Sequence, residues 1–233
     1  MTAVPGASPT ISRVKGGNDG FTKLLLHCDG ADGSTTFVDS SASGRTITAN
    51  GNAQVDTAQA KFGGASALFD GAGDYLTVPA SADFNFGTGD FTVETWIRTT
   101  ATTEQYVLNS IGFASGGWNL VVAYNATSGK IGWINGSFGD EIAVTGTSIN
   151  DGNWHHLAVS RAGTSLRMFL DGTQVGSTIT TSYAYGSSTD GLRIASAVFN
   201  SAQFVNGWLE EIRITKGSAR WTASFTPPTR PYF

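Results

Sequence analysis

The chain has 233 residues, 14% of them charged, with 30 glycines, one cysteine and a formal net charge of −4. That length suits a single all-β domain, and the charge draws it to neither nucleic acid nor an anionic membrane surface. A lone Cys28 excludes an internal disulfide and a cysteine-rich zinc site, and no apolar run approaches the roughly 18 residues of a membrane helix.

Residues 1–20 read as a flexible arm, because Pro5, Gly6, Pro9, Gly16, Gly17 and Gly20 break any regular element. Met1 to Thr10 has neither a basic start nor an apolar core, so no secretion signal is expected. Phe21 to Asp29 is the first core strand, with Leu24 and Leu26 opposed to Leu25 and Cys28 a small buried hydrophobe. Gly30 to Arg45 is a polar loop holding Asp32 and Asp39. Phe62 to Val78 reads as a strand, an Asp70-Gly71-Ala72-Gly73 turn and a returning strand. Asp70 and Asp74 flank that turn, as turn caps first and as Ca²⁺ ligands second.

Phe91 to Arg98 alternates with period two. Phe91, Val93, Thr95 and Ile97 make an inward set; Thr92, Glu94, Trp96 and Arg98 face outward. A hairpin follows in which Trp118, Leu120, Val122 and Tyr124 share an inward face and Trp133 lies on the facing strand. Asn153 to Val175 is a second hairpin around Arg161-Ala162-Gly163-Thr164. His155, Leu157 and Val159 lie on one face of its first strand; Leu166, Met168 and Leu170 lie on one face of its second. Tyr183 and Tyr185 stand in a Ser/Gly loop, as ligand contacts or as a cover for the sandwich end. Leu192 to Ala197 and Phe204 to Thr215 are the last strands. Residues 217–233 hold Pro227, Pro228 and Pro231 and cannot form a central strand.

Four blocks carry a resemblance. They are Gly64 to Tyr75, Phe91 to Arg98, the run Trp154-His155-His156-Leu157-Ala158-Val159 with Met168-Phe169-Leu170-Asp171-Gly172, and Phe204 to Thr215. Together they resemble the laminin-G-like, concanavalin A-like lectin domains of bacteriophage and bacterial surface proteins. The resemblance implies an all-β, two-sheet antiparallel jelly-roll sandwich over residues 21–216, with residues 217–233 packed on it as a tail. In the last block Glu210 stands where the family more often has Asp. Ala219 to Pro228 is similar to endings of phage and prophage proteins.

Enzymes of related fold place Glu-x-Asp-x-x-Glu or Gln-x-His on one strand. Neither pattern occurs here, and His27, His155 and His156 are the only histidines. The expectation is a non-catalytic adhesion module that binds a cell-surface glycan or protein. Its expected place is a virion, in a tail fibre, a tail tip or a capsid decoration, where the arm attaches it to other virion proteins and several copies could assemble as an oligomer. The alternatives are a secreted bacterial polysaccharide-binding protein and a degenerate glycosidase or lyase, the latter built on Glu94 and a facing carboxyl about 5–10 Å away. Ligand binding is expected first at Trp96 with Glu94 and Arg98, then at Tyr183 and Tyr185, where sugar rings stack on aromatic faces. No cofactor is required; Ca²⁺ is the one a rim site could hold, at Asp70 and Asp74 or between Asp39 and Glu211.

Overall fold

A computed structural model describes residues 18–110, 116–123, 125, 127–136, 140–186, 191–197 and 203–233. The predicted arm therefore lies, up to residue 17, outside the described residues, as does Tyr124. Among the described residues fifteen strands form two antiparallel sheets, and the one complete helical element is a 3-10 turn, Ala82–Phe84. The first sheet runs β13 (Thr173–Thr180), β12 (Ser165–Leu170), β11 (Trp154–Ala162), β6 (Phe91–Thr99), β15 (Asn206–Lys216), β4 (Ser66–Asp70) and β3 (Gln54–Asp56). β15 is long enough to pair with β4 along its first half and with β1 (Thr22–Leu26) along its second. The second sheet runs β10 (Asp140–Val144), β9 (Ile131–Asn135), β8 (Trp118–Val122), β7 (Gln105–Ser110), β14 (Leu192–Ile194), β5 (Tyr75–Val78) and β2 (Thr48–Asn50). This is the expected jelly-roll sandwich.

Strand alternation builds the core. Phe91, Val93 and Ile97 of β6, with Leu157 and Val159 of β11, meet Trp118, Leu120 and Val122 of β8 and Trp133 of β9. Trp118 stacks on Trp133 at 5.2 Å, and Phe91 stacks on Phe86 at 4.4 Å. Each such pair adds about 0.5–1.5 kcal/mol beyond its buried area.

One expected pairing is corrected. Asp70 to Asp74 does not close a hairpin, because β4 and β5 belong to different sheets: β4 pairs with β15 and β3, β5 with β14 and β2. Gly71 and Gly73, at φ +85° and +92°, carry the chain from one sheet to the other. Phe69 and Leu76 then meet the same core from opposite sides.

After β15 the chain folds back over the outer face of the first sheet. Trp221 stacks on Phe225 at 3.7 Å, and the pair packs on Ala158 and Phe169. The Phe225 N–H donates to the Gly172 carbonyl at 2.8 Å. Gly172 has φ +75°, and a Cβ there would lie 2.0 Å from the Phe225 oxygen. The Asp171-Gly172 turn is thus the seat of the tail.

Candidate functional site

The outer face of the first sheet is read row by row, since directly opposed residues of paired strands point to the same side. One row crosses three strands as Trp154, Arg98 and Trp208, and continues to Leu68 on β4. All four are half-buried. Strand spacing puts the two tryptophans roughly 10 Å apart, on either side of the arginine. The Arg98 guanidinium lies 5.4 Å from the Trp208 ring centre, and its Nε donates to the Gly152 carbonyl at 2.6 Å. Trp208 Nε1 donates to Asp56 at 2.6 Å, which fixes the indole's orientation. Two apolar plates with a fork of donors between them can stack sugar rings and hydrogen-bond their hydroxyls.

The next rows belong to the interior. β15 carries a bulge between Glu210 and Arg213: Glu210 opposes Trp96 and Arg213 opposes Glu94, leaving two residues against Thr95 alone. Glu211, at φ +53°, absorbs the extra residue. Ile212 keeps its place in the core, so Glu210, Glu211 and Arg213 all serve the tail-covered side.

There Glu94 takes hydrogen bonds from Arg213 Nε at 2.9 Å, Trp221 Nε1 at 2.8 Å and Tyr232 Oη at 3.2 Å. Burial would raise its pKa. The Arg213 charge and the His156 and Trp221 contacts outweigh burial and hold the carboxyl well below the usual range. Glu94 is 0% exposed, so it is not the surface ligand contact or the catalytic acid that its outward register suggested. Trp96 is 4% exposed, under Phe62 at 5.6 Å and the Lys61 ammonium at 4.1 Å. Arg98, two residues further along the same strand, escapes the tail.

The tyrosine loop divides. Tyr185 is fully buried, edge-on to Phe91 at 5.3 Å and under Arg161, and so belongs to the core rather than to a ligand surface. Tyr183 is half-buried against Tyr185 at 5.1 Å and lies outside the row described above.

The four acidic candidates for a cation are committed to the fold. Asp39 accepts the Leu25, Ser41 and Arg45 N–H groups, at 3.1, 3.0 and 3.0 Å. Asp74 accepts those of Asn52 and Asp70, at 2.5 and 3.0 Å, and Asp70 caps Ala72 at 2.7 Å. Glu211 holds His27 Nδ1 at 2.6 Å and the Tyr232 N–H at 2.8 Å. Among the described residues no three His, Cys, Asp or Glu side chains gather as a cation would require.

Trp154 and Trp208 went unselected as ligand contacts in the sequence. Each sits at a strand end on an outward position, a signal that becomes specific only once Arg98 is known to lie between them.

Two antiparallel sheets with an aromatic row on an outer face define a concanavalin A-like sandwich. Residues 70–221 match the laminin G model described as the concanavalin A-like lectin/glucanases superfamily, and the chain belongs to that family. The binding domain of Paraclostridial Mosquitocidal Protein 1 is similar in structure, with a TM-score of 0.65 and 15% identity over 85% of this chain and 50% of that one. So is the botulinum neurotoxin serotype D ligand-binding domain in complex with N-acetylneuraminic acid, at 0.63 and 15% over 86% and 48%. The binding domain of botulinum neurotoxin DC in complex with rat synaptotagmin II gives 0.63 and 12% over 86% and 49%. The chain spans about half the length of these solved chains, and at such identity the likeness is one of fold. No curated protein matches the chain.

Proposed function

We propose that this chain is a non-catalytic binding module that takes a glycan across the Trp154–Arg98–Trp208 row. The observation that carries the reading is the register itself, which sets two half-buried indoles on either side of one guanidinium. Among the described residues only the Nε of Arg98 is hydrogen-bonded, which leaves its terminal nitrogens for a ligand. The fold neighbours support binding as the role, since one is described in complex with N-acetylneuraminic acid and another with rat synaptotagmin II. Against catalysis, the outer-face carboxylates Glu94, Glu210 and Glu211 are each engaged by groups of the protein itself.

A glycan array probed with the wild-type chain and with Trp154→Ala/Trp208→Ala tests this. The expected result is a defined set of bound glycans lost in the double variant. Binding that survives it moves the site elsewhere.

The place of work in this reading is a bacteriophage virion, as a tail-fibre, tail-tip or decoration subunit. The ending Ala219 to Pro228 supports it, being similar to those of phage proteins. Weak contacts repeated over many copies would then gain by avidity. Purified virions of the source that lack the protein by mass spectrometry would refute this placement and leave the glycan reading intact.

A further inference from the structure

Two buried polar atoms on the tail-covered face have no hydrogen-bond partner among the described residues. They are Trp96 Nε1 and His156 Nδ1. Trp96 is 4% exposed and His156 0%. They oppose each other on β6 and β11, with ring centres 5.1 Å apart. Their neighbours on this face, Glu94, Arg213, Trp221 and Tyr232, are satisfied.

The chemistry of an occupant follows from the two atoms. An indole N–H only donates. Tyr232 Oη donates to Glu94 at 3.2 Å, so its oxygen accepts from His156 Nε2–H at 3.1 Å. His156 Nε2 also lies 3.4 Å from the Glu94 carboxylate; Nδ1 accepts when the ring is neutral and donates when it carries the second proton. A group that answers both must accept from the indole and either donate to Nδ1 or accept from it; a hydroxyl, with two lone pairs and one proton, does either.

The cover over Trp96 is short, and among the described residues one side chain, Glu210, holds its backbone. Glu210 accepts the backbone N–H groups of Lys61 and Phe62, at 2.5 and 2.7 Å. Gly63 and Gly64 follow at φ +60° and +107°, conformations that give the segment a natural hinge. Trp96 and Arg98 are two residues apart on β6, so the covered atoms adjoin the Trp154–Arg98–Trp208 row, roughly 7 Å along the strand.

We propose that Trp96 and His156 form a hydroxyl-reading subsite of the glycan site, entered from the Trp96 side under Lys61–Phe62 as a lid, with the tail's Phe225, edge-on to His156 at 5.7 Å, and Tyr232 as its fixed wall. The inference rests on the glycan reading of the row. It adds a requirement the row alone does not impose: one hydroxyl of the bound sugar is read by an indole N–H and an imidazole nitrogen.

The probe is the soluble oligosaccharide that ranks first on the array with the full chain. Trp96→Phe keeps an aromatic ring and removes the N–H. Expected are an affinity about tenfold lower, a similar loss for one deoxy analogue of the sugar, and no further loss when variant and analogue are combined. The Trp96 indole N–H resonance, assigned in the wild type by triple-resonance spectra, shifts on saturation. An unchanged affinity with an unmoved resonance overturns the subsite, and if Trp96→Phe fails to fold, the wild-type resonance decides alone. Loss of binding in Trp208→Ala with no effect at Trp96 refutes the subsite and keeps the row. An array without any hit refutes both.

Discussion

Glu94 and Arg213 form an ion pair with no exposed surface on either side chain, closed by hydrogen bonds of 2.5 and 2.9 Å. The pair lies on the outside of a sheet, where a charged residue would ordinarily meet water. The tail supplies what water would have: Trp221 and Tyr232 hydrogen-bond the carboxylate, and the Tyr232 ring lies 3.7 Å from the guanidinium carbon. Glu94→Ala leaves the arginine buried and unpaired, a loss of about 3–5 kcal/mol. Chemical denaturation of the variant checks it. Glu94→Leu/Arg213→Met, which removes both charges, is expected to lose less than Glu94→Ala, and the reverse order contradicts this account.

His155 makes stability depend on pH at both ends. Its hydrogen bond to Asp171, at 2.7 Å, raises its pKa against burial, and Asp151 at 3.0 Å adds to the effect. A raised histidine contributes stability that is complete below about 6.5 and is lost as pH climbs through the higher folded value. The partners titrate the other way. The His155 hydrogen bond and the Asn153 N–H hold Asp151 down to about 2, and Asp171 is lowered by His155 despite its burial. Their share is present above the ordinary aspartate range and is lost as pH falls through those lowered values. Melting temperature is therefore expected to fall on both sides of a plateau, and His155→Gln to flatten both limbs. An unaltered profile in that variant removes His155 as the cause.

Glu210 contributes a separate decline on the way from acid to neutral pH. Burial pushes it up to about 7, with Glu211 and Asp29 adding repulsion and the Lys61 and Phe62 N–H groups opposing. A carboxyl raised on folding favours the folded state below about 4.5, and that advantage is lost as pH rises through about 7. Glu210→Gln is expected to reduce the loss of stability between about pH 4.5 and 7. Equal slopes for the two proteins in urea midpoints measured across that range count against it.

Calcium is expected to leave the fold indifferent. Asp39, Asp70, Asp74 and Glu211 hold backbone N–H groups, with Arg45 beside Asp39 and His27 on Glu211. A cation would displace these contacts to gain a partial oxygen shell. Melting curves with millimolar Ca²⁺ and with chelator should superimpose, and a reproducible upward shift with the metal would show a site in one of these loops.

Gly172→Ala is expected to loosen the tail. The new methyl would collide with the Phe225 carbonyl, at a backbone φ of +75° that already disfavours a side chain. Several kcal/mol are at stake if the tail stays seated; if it lifts, tryptophan fluorescence shifts red as Trp221 meets water. A variant with wild-type stability and emission would show that the tail is not seated on this turn.

Much of the sandwich was legible in the sequence because alternation is local. Successive side chains of a strand point to opposite sides as a matter of backbone geometry. Phe91, Val93 and Ile97, or Leu166 and Met168, therefore declared their shared face without any knowledge of neighbours. The turn acid Asp70 was legible for the same reason, since it caps Ala72 two residues away, whereas Asp74 also takes the N–H of the distant Asn52. What alternation cannot say is what lies against a face. Trp96 and Arg98 occupy equivalent outward positions, yet one is sealed by Lys61 and Phe62 and the other stays half-open. β4 and β5 read as a hairpin, and only their long-range partners assign them to opposite sheets. The Trp154–Arg98–Trp208 row depends on which strands are adjacent, and strand order is decided by packing and hydrogen bonding between segments far apart in the chain. The identity of each face was local; its exposure belonged to the tertiary structure.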